Sequence, residues 1–522
     1  MMAYVTSGMV QGVDGELVTV QTDISDGLPV FHMIGSLSNE VKEAKERVRT
    51  ALKNTGFRLP PRRISVNLSP ADIRKTGTFF DLPIAVALFV AMGLLPTGVV
   101  EEVLFLGELA LDGTLLPLPG VLPILKKALD RDYHVCIVPV KNFKEASLLD
   151  GMEAKGFSSL KEVFAYLKNK NQKEEGTVQR GETEKDSLSP VEETLEKGKE
   201  TGPDFQDVKG QILAKRALEI AVAGYHNLFL DGPPGTGKSM LAACVPGIMP
   251  EMTMEEKIET TMIYSVRGLL KDGFYLVDSR PCRMPTPAAT MTGMFGGGIN
   301  LKPGEVSLAH NGVLFLDEFL EYKKEMIEMF RIPLERHQIT QIRNNRSLTF
   351  PADFLFIVAA NSCPCGYYPD RQRCRCSISE IRKYQNKLSG PILDRMDLFV
   401  RCEAVPYHVL TGDREEEPSE TVRKRVQKAW NRQRERFPGG KLCFNGRMSA
   451  KDTVEFCCID QDGDRVMKKA FETFRMSGRA YYRVLRVART IADLEGEEKI
   501  REEHLREALM FRNASLGIRT QI

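Results

Sequence analysis

The sequence lacks several features that would narrow its function at once. Net charge is only +2, so there is no global polyelectrolyte signal for nucleic acid, and any contact with DNA must come from local patches. No apolar run is long enough to cross a bilayer; the longest, Leu82 to Leu95, is too short and too proline-flanked. The start of the chain shows no basic stretch followed by an apolar one, the pattern of a secretory leader. A cytoplasmic protein with no membrane partner is therefore expected, and its 11 cysteines read as reduced thiols rather than a disulfide frame. Tryptophan occurs once, as Trp430, where a packing anchor on a helix is expected rather than chemistry. No internal repeat is visible. What remains, 42% hydrophobic and 27% charged residues, is an ordinary globular composition with room for several domains.

Against that background one motif stands out. Gly232, Pro233, Pro234, Gly235, Thr236, Gly237, Lys238 and Ser239 spell a full phosphate-binding loop. It follows the apolar run Asn227-Leu-Phe-Leu230 and precedes Met240-Leu-Ala-Ala-Cys244, the strand-loop-helix context the motif requires. Glycines let backbone N–H groups curl around phosphate oxygens at a helix N-terminus. Lys238 would reach the β- and γ-phosphates of ATP, and the Ser239 hydroxyl would hold Mg2+.

Three further segments point to hydrolysis rather than simple binding. Gly312-Val-Leu-Phe-Leu-Asp317-Glu318 is an apolar strand ending in two carboxylates. Asp317 suits Mg2+ coordination and Glu318 suits polarising a water, although a strand followed by an acidic helix cap would look the same. Phe354-Leu-Phe-Ile-Val-Ala-Ala360 is a second buried strand ending at Asn361, where a polar side chain can read the γ-phosphate. In Ser389-Gly-Pro-Ile-Leu-Asp394-Arg395-Met-Asp397, Arg395 is either an arginine offered to a neighbouring subunit or half of a local surface pair with Asp394 or Asp397.

This order of motifs resembles the AAA+ ATPases related to the magnesium-chelatase motor subunit, and more closely the ComM/YifB-type competence-associated ATPases. The matching text includes Asp204-Phe-Gln-Asp-Val-Lys-Gly-Gln211, Pro303-Gly-Glu-Val-Ser-Leu-Ala-His-Asn-Gly312 leading into the carboxylate strand, Pro333-Leu-Glu335 and Cys363-Pro-Cys-Gly366. Arg486-Val-Ala-Arg-Thr-Ile-Ala-Asp-Leu-Glu-Gly496 fits as well. The resemblance implies an α/β fold, an AAA+ P-loop parallel-sheet domain with a C-terminal helical lid, preceded by a Lon-protease-domain-like α+β domain. It also implies that Arg395 is a trans arginine finger, that the homo-oligomer is a hexameric ring, and that DNA is the substrate of a helicase or branch-migration motor. In the sensor-2 region of such ATPases one of Arg479, Arg483 and Arg486 would contact ATP, Arg479 being the first choice and Arg486 the second. These three share one helical face, so a solvated basic stripe is the plainer alternative.

The expected domains are 1–169, non-catalytic and Lon-like; 170–202, a charged linker without aromatics; 203–405, the ATPase core; and 406–522, the helical C-terminal domain. In the first, Glu40 to Thr55 places Val41, Ala44, Val48 and Leu52 on one helical face, and Gly107 to Gly120 reads as a hairpin closing on Asp112-Gly113. The Lon-type nucleophile would fall near Arg74 to Asp81, where no serine stands; Thr76 and Thr78 offer hydroxyls without an evident lysine partner.

Two insertions would touch a substrate. Thr286 to Lys302 holds three consecutive glycines beside Phe295, which suggests a mobile loop with an apolar tip; the resemblance implies that it faces a central pore, and a plain surface connection is the alternative. Glu335 to Arg346 alternates like a hairpin and carries Arg336, His337, Arg343 and Arg346, which could grip phosphates or simply protect a sheet edge. His310 reads as structural. Finally, Cys363-Pro-Cys365 and Cys374-Arg-Cys376 could together hold Zn2+, or stand as reduced structural thiols or a redox pair.

Overall fold

The computed structural model describes residues 2–174, 202–270, 275–298, 301–343, 346–412, 415–437 and 444–520. It divides into two compact units, Met1–Glu196 with Lys257–Val277, and Lys197–Glu256 with Asp278–Ile522. Lys257–Val277, which lies within the motor in sequence, belongs to the first unit, and the helical C-terminal segment is one body with the ATPase core. The expected linker lies largely outside the described residues, and the helix Leu160–Glu174 runs past its expected start.

The first unit is built on a seven-stranded mixed sheet. Its central hairpin pairs Met2–Gln11 with Asp14–Ser25 in antiparallel register. One flank adds Arg63–Ser69 and Phe31–Ile34; the other adds Val103–Phe105, Val135–Pro139 and Glu153–Phe157 in parallel. The helix Asn39–Asn54 buries Val41, Ala44, Val48, Ala51 and Leu52, the face expected from its period, and Ser38 caps it by accepting from the Val41 amide. The helix Asp81–Ala91 is buried on every side, which is why its apolar run shows no amphipathic pattern. It is a core helix; among the described residues no helix is long and apolar enough to cross a membrane. Glu108–Leu109 and Leu115–Leu116 form the expected short hairpin. Lys75 is fully buried and its Nζ donates to the Ile73 carbonyl at 2.9 Å, while the Thr78 hydroxyl is taken up by Glu108 at 2.5 Å. Residues of Lys257–Val277 complete this unit: Met262 enters its core, and the Ser265 hydroxyl donates to Glu145 at 2.5 Å while accepting from the Gly120 amide at 2.9 Å.

The second unit carries a five-stranded, all-parallel sheet in the order Cys282–Arg283, Val313–Leu316, Leu355–Ala360, Leu228–Asp231, Leu398–Arg401. The strand period of two splits its side chains between faces. Leu228, Leu230, Phe315, Ile357 and Leu398 join a core with the helices Ile212–Gly224, Ser419–Arg436 and Gly478–Glu495. Phe229, Leu314, Leu316, Phe356 and Phe399 join a second core on the opposite face. Trp430 is 1% exposed, packs near Tyr225 and Phe444, and donates its indole N–H to the Val222 carbonyl at 3.1 Å. It is the packing anchor expected of it.

Candidate functional site: a nucleotide loop and an arginine cluster

The phosphate loop begins where the strand Leu228–Asp231 ends. Gly232 bends the chain at φ 156°, and a Cβ there would lie 2.3 Å from the Cys402 carbonyl. Gly235 and Gly237 adopt left-handed φ of 79° and 84° and face open space, so the loop is a concave backbone surface that ends on the helix Lys238–Ala243. Lys238 is buried, and its Nζ donates to the carbonyls of Gly232 (2.7 Å) and Pro233 (2.9 Å) and to Asn361 Oδ1 (3.2 Å). Burial lowers the pKa of this ammonium, opposed by Cys402 and the carboxylates of Asp231, Asp317 and Glu318. Gln211 braces the loop from outside by donating to the carbonyls of Thr236 (3.0 Å) and Glu403 (2.7 Å).

The neighbouring strands bring the expected side chains to the same edge, the carboxyl end of a parallel sheet. Asn361 follows Leu355–Ala360, which pairs directly with the loop strand. Asp317 and Glu318 follow Val313–Leu316, one strand further out. The Ser239 hydroxyl donates to Asp317, whose other oxygen accepts from the Glu318 amide at 2.8 Å. Glu318 is exposed and holds a left-handed φ of 49°, a conformation non-glycine residues adopt at a cost. Ser239 and Asp317 thus converge as a hydroxyl and a carboxylate, the oxygen donor set that suits Mg2+, beside a loop shaped for phosphate. The residues fit a magnesium nucleotide.

Arg395 belongs to a different cluster. It is not a local surface pair: it is 8% exposed, donates through Nη1 to the Pro391 carbonyl at 2.8 Å and through Nη2 to Glu335. Asp397 is taken instead by Arg483 and by the Asn227 amide at 2.9 Å. Burial opposes ionisation of Asp397, but Arg483 and His226 outweigh it and hold the carboxyl below the usual range. Arg479 is exposed and adds its field at Glu335, so it stands with Arg395. Arg486 donates to Thr453 at 3.0 Å inside the helical segment. Of the three arginines on that helix face, then, two are committed to structural partners, and Arg479 shares the electrostatic surroundings of Arg395.

A hairpin forms further along than expected, with Gln338–Arg343 antiparallel to Arg346–Pro351, while Glu335 and Arg336 end the short helix Pro333–Arg336. His337 is not displayed along it; at its base Nδ1 lies 3.3 Å from Asp353, which also pairs with Arg447 at 3.0 Å. His310 is structural as expected, its Nδ1 accepting from the Asp353 amide at 3.1 Å. The glycine-rich loop departs from expectation. Phe295 closes the helix Met291–Phe295 and is buried against Phe330 at 4.9 Å between ring centroids. The glycines serve a tight return, in which Gly297 and Lys302 exchange backbone hydrogen bonds at 2.9 and 3.0 Å. A Cβ on Gly296 would meet the Lys302 carbonyl at 2.7 Å, so the apolar tip is a core residue beside a turn.

The four cysteines come together. Cys363 Sγ lies 3.4 Å from Cys365 Sγ and 3.7 Å from Cys374 Sγ, Cys365 lies 3.6 Å from Cys374, and the four sulfurs with Cys376 all lie within 4.8 Å. The Tyr367 amide draws the Cys365 thiol down to about 6, while burial pushes Cys363 up to about 12.

The sheet order, with one strand inserted between the phosphate-loop strand and the carboxylate strand, and the polar residues at its carboxyl edge define a P-loop ATPase of the AAA+ class. The comparisons with known proteins agree. Residues 204–410 match the family described as magnesium chelatase, subunit ChlI. Residues 20–142 match subunit ChlI of Mg-chelatase, and residues 416–512 match the ChlI C-terminal family. The chain is 40% identical to the competence protein ComM of Haemophilus influenzae over 515 residues, 98% of this chain and 97% of that protein. It is 37% identical to YifB of Salmonella typhimurium over 98% of this chain and 97% of that protein. It is 36% identical to Rv2897c of Mycobacterium tuberculosis over 96% of this chain and 97% of that protein. The chain belongs to the ComM/YifB family of magnesium-chelatase-related proteins.

Sequence reasoning missed what Gln211, Glu335 and Gly366 do. All three lie in segments that resemble the family, yet nothing in linear order shows that Glu335 meets Arg395.

Proposed function

We propose that this chain is an ATP-hydrolysing ring motor that acts on DNA, as a helicase or branch-migration enzyme in recombination or natural transformation. The observation that carries the ATPase is the convergence of Lys238 with Asn361 and of Ser239 with Asp317 at one sheet edge. Lys238 and the loop amides bind the phosphates, Ser239 and Asp317 hold Mg2+, Glu318 orients the attacking water, and Asn361 reads the γ-phosphate. Mg2+ would neutralise charge on the β- and γ-oxygens. Arg395 is bonded to Glu335 and Pro391 and to none of these groups, which supports its use on a neighbour's nucleotide in a hexamer. The hairpin that carries Arg343 and Arg346, with Arg336 just before it, and the competence name of the Haemophilus relative support DNA as substrate. The first unit is read as a non-catalytic Lon-like domain, since no serine stands between Arg74 and Asp81 and the buried Lys75 donates to the Ile73 carbonyl. The four cysteines are read as a Zn2+ site, and the protein as cytoplasmic.

The test is ATPase activity of size-fractionated protein with and without single-stranded, duplex and four-way-junction DNA. Stimulation by DNA in the oligomeric fraction is expected; a monomer that cleaves ATP at full rate would overturn the ring. A second reading, a chelatase-like motor or protein remodeller without DNA, is favoured by the family match alone. Stimulation by a porphyrin-binding protein and not by DNA would select it.

A further inference from the structure

The segment that follows the strand Leu355–Ala360 does two things at once. It supplies Asn361 to the nucleotide loop, and within two residues it enters the cysteine cluster at Cys363. Gly366, which directly follows Cys365, packs on the loop itself: a Cβ built there would lie 2.5 Å from Pro234 Cδ and 3.7 Å from Asn361 Cγ. Gly366 also has a left-handed φ of 85°, and its amide donates to the Cys363 carbonyl at 2.9 Å. Between them, Ser362 donates to both oxygens of Asp231, at 2.9 and 3.0 Å, at the end of the strand that feeds the loop. The cysteine segment therefore touches the nucleotide loop at Pro234, at Lys238 through Asn361, and at Asp231.

The sulfur geometry suits one tetrahedral ion. A Zn–S bond of about 2.3 Å implies sulfur-to-sulfur edges of about 3.8 Å. The three separations among Cys363, Cys365 and Cys374, 3.4, 3.6 and 3.7 Å, cluster near that value, and Cys376 lies within 4.8 Å of each. Apart from these bonds to the loop strand and the Gln385 side-chain amide that donates to the Ser362 carbonyl at 2.9 Å, the segment has only a small apolar core of its own. Its buried apolar cluster consists of Cys363, Cys374 and Ile381, flanked by Tyr367 and Tyr368. Outside it, Arg373 and Arg371 stack on those two rings at 4.0 and 4.9 Å from the centroids. So small a core is the setting in which a metal supplies the folding energy of a loop.

We infer that the four-cysteine site is a structural zinc centre that fixes the shape of the phosphate loop, so that nucleotide affinity depends on zinc being bound. This rests on the ATP and zinc readings above. The centre does no chemistry; it holds Gly366 against Pro234 and Asn361 against Lys238.

The full chain, purified under reducing conditions, would be assayed for zinc by mass spectrometry and for binding of a fluorescent ATP analogue in excess Mg2+. Both would be repeated after chelation and after zinc is added back. The expected result is one zinc per chain and a loss of analogue affinity of about tenfold or more on removal, reversed by zinc and not by further Mg2+. Gly366→Ala retains all four sulfurs; it should keep its zinc yet bind the analogue as weakly as the stripped protein. Cys376→Ser, at a half-exposed ligand, should lose zinc and analogue affinity together, with circular dichroism confirming the fold. Protein that neither carries nor takes up zinc would overturn the metal site. Protein that binds the analogue equally with and without zinc would overturn the coupling alone. A zinc-loaded chain that binds no nucleotide would overturn the ATPase reading and this inference with it.

Discussion

Glu335 holds the guanidinium of Arg395 across sixty positions of sequence, and it does so from the outside. The arginine side chain is 10% exposed and the glutamate 59%, so Arg395 meets solvent largely through its partner. Arg395 in turn keeps the Glu335 carboxyl below its ordinary range. In the proposed ring, an arginine so placed would reach a phosphate on another subunit by exchanging one anion for another.

Arg395→Ala should therefore lower turnover by about a thousandfold or more while leaving ATP-analogue binding unchanged. Steady-state ATPase rates and a fluorescent-analogue titration check this. Normal turnover by the variant would remove the trans-finger assignment. Glu335→Gln, which weakens the competing anion, should retain turnover and shift the dependence of rate on protein concentration toward lower concentration.

Glu318→Gln keeps the shape of the side chain and removes its charge. The variant should bind ATP and Mg2+ but hold the nucleotide uncleaved, so that ATP co-elutes with the oligomer on gel filtration. ADP in the eluted fraction at the wild-type level would show that another group activates the water.

The hairpin prediction concerns salt. Replacing Arg336, Arg343 and Arg346 together by Ala should weaken binding to unrelated DNA sequences alike. It should reduce the slope of log affinity against log salt by about one for each phosphate no longer neutralised. Fluorescence anisotropy across a salt series measures both. An unchanged slope would assign the arginines to edge protection.

Acid should destabilise the second unit through two buried carboxylates. Asp397, facing Arg483 and His226, and Asp353, facing Arg447, His337 and His310, both have folded pKa values depressed despite burial. Their stabilisation is full above the unfolded carboxylate value of about 3.9 and is lost as pH falls below it toward the folded values. Asp397→Asn, which leaves Arg483 without its counter-charge, should cost about 3 kcal/mol and flatten the acid limb of stability. Urea unfolding at a series of pH values reads both effects, and an unchanged acid limb would show that Asp397 does not set it.

The nucleotide loop, the carboxylate strand and Asn361 were legible in the sequence because each is a contiguous apolar strand that delivers its polar residue at a fixed end. The amphipathic face of Asn39–Asn54 was legible for the same local reason. Arg395 was not, since its alternatives were sought among adjacent carboxylates, whereas Asp397 was already committed to Arg483 and the partner came from Glu335. Phe295 was misread because three glycines look like a mobile tip; in the fold they permit the close approach of Gly296 to Gly304, which lets the aromatic ring turn inward. The packing of Gly366 on Pro234 leaves no trace in spacing at all.

The assignment of Lys257–Val277 to the first unit bears on any attempt to isolate the motor. Cutting the chain before Asp204 would yield a fragment that still carries a foreign piece. Met262 would be deprived of the core it helps to fill, and Ser265 of Glu145 and Gly120. Such a fragment would display an orphaned sticky surface and tend to clump. Dissecting this protein calls for excising two stretches, with a short bridge joining Glu256 to Asp278.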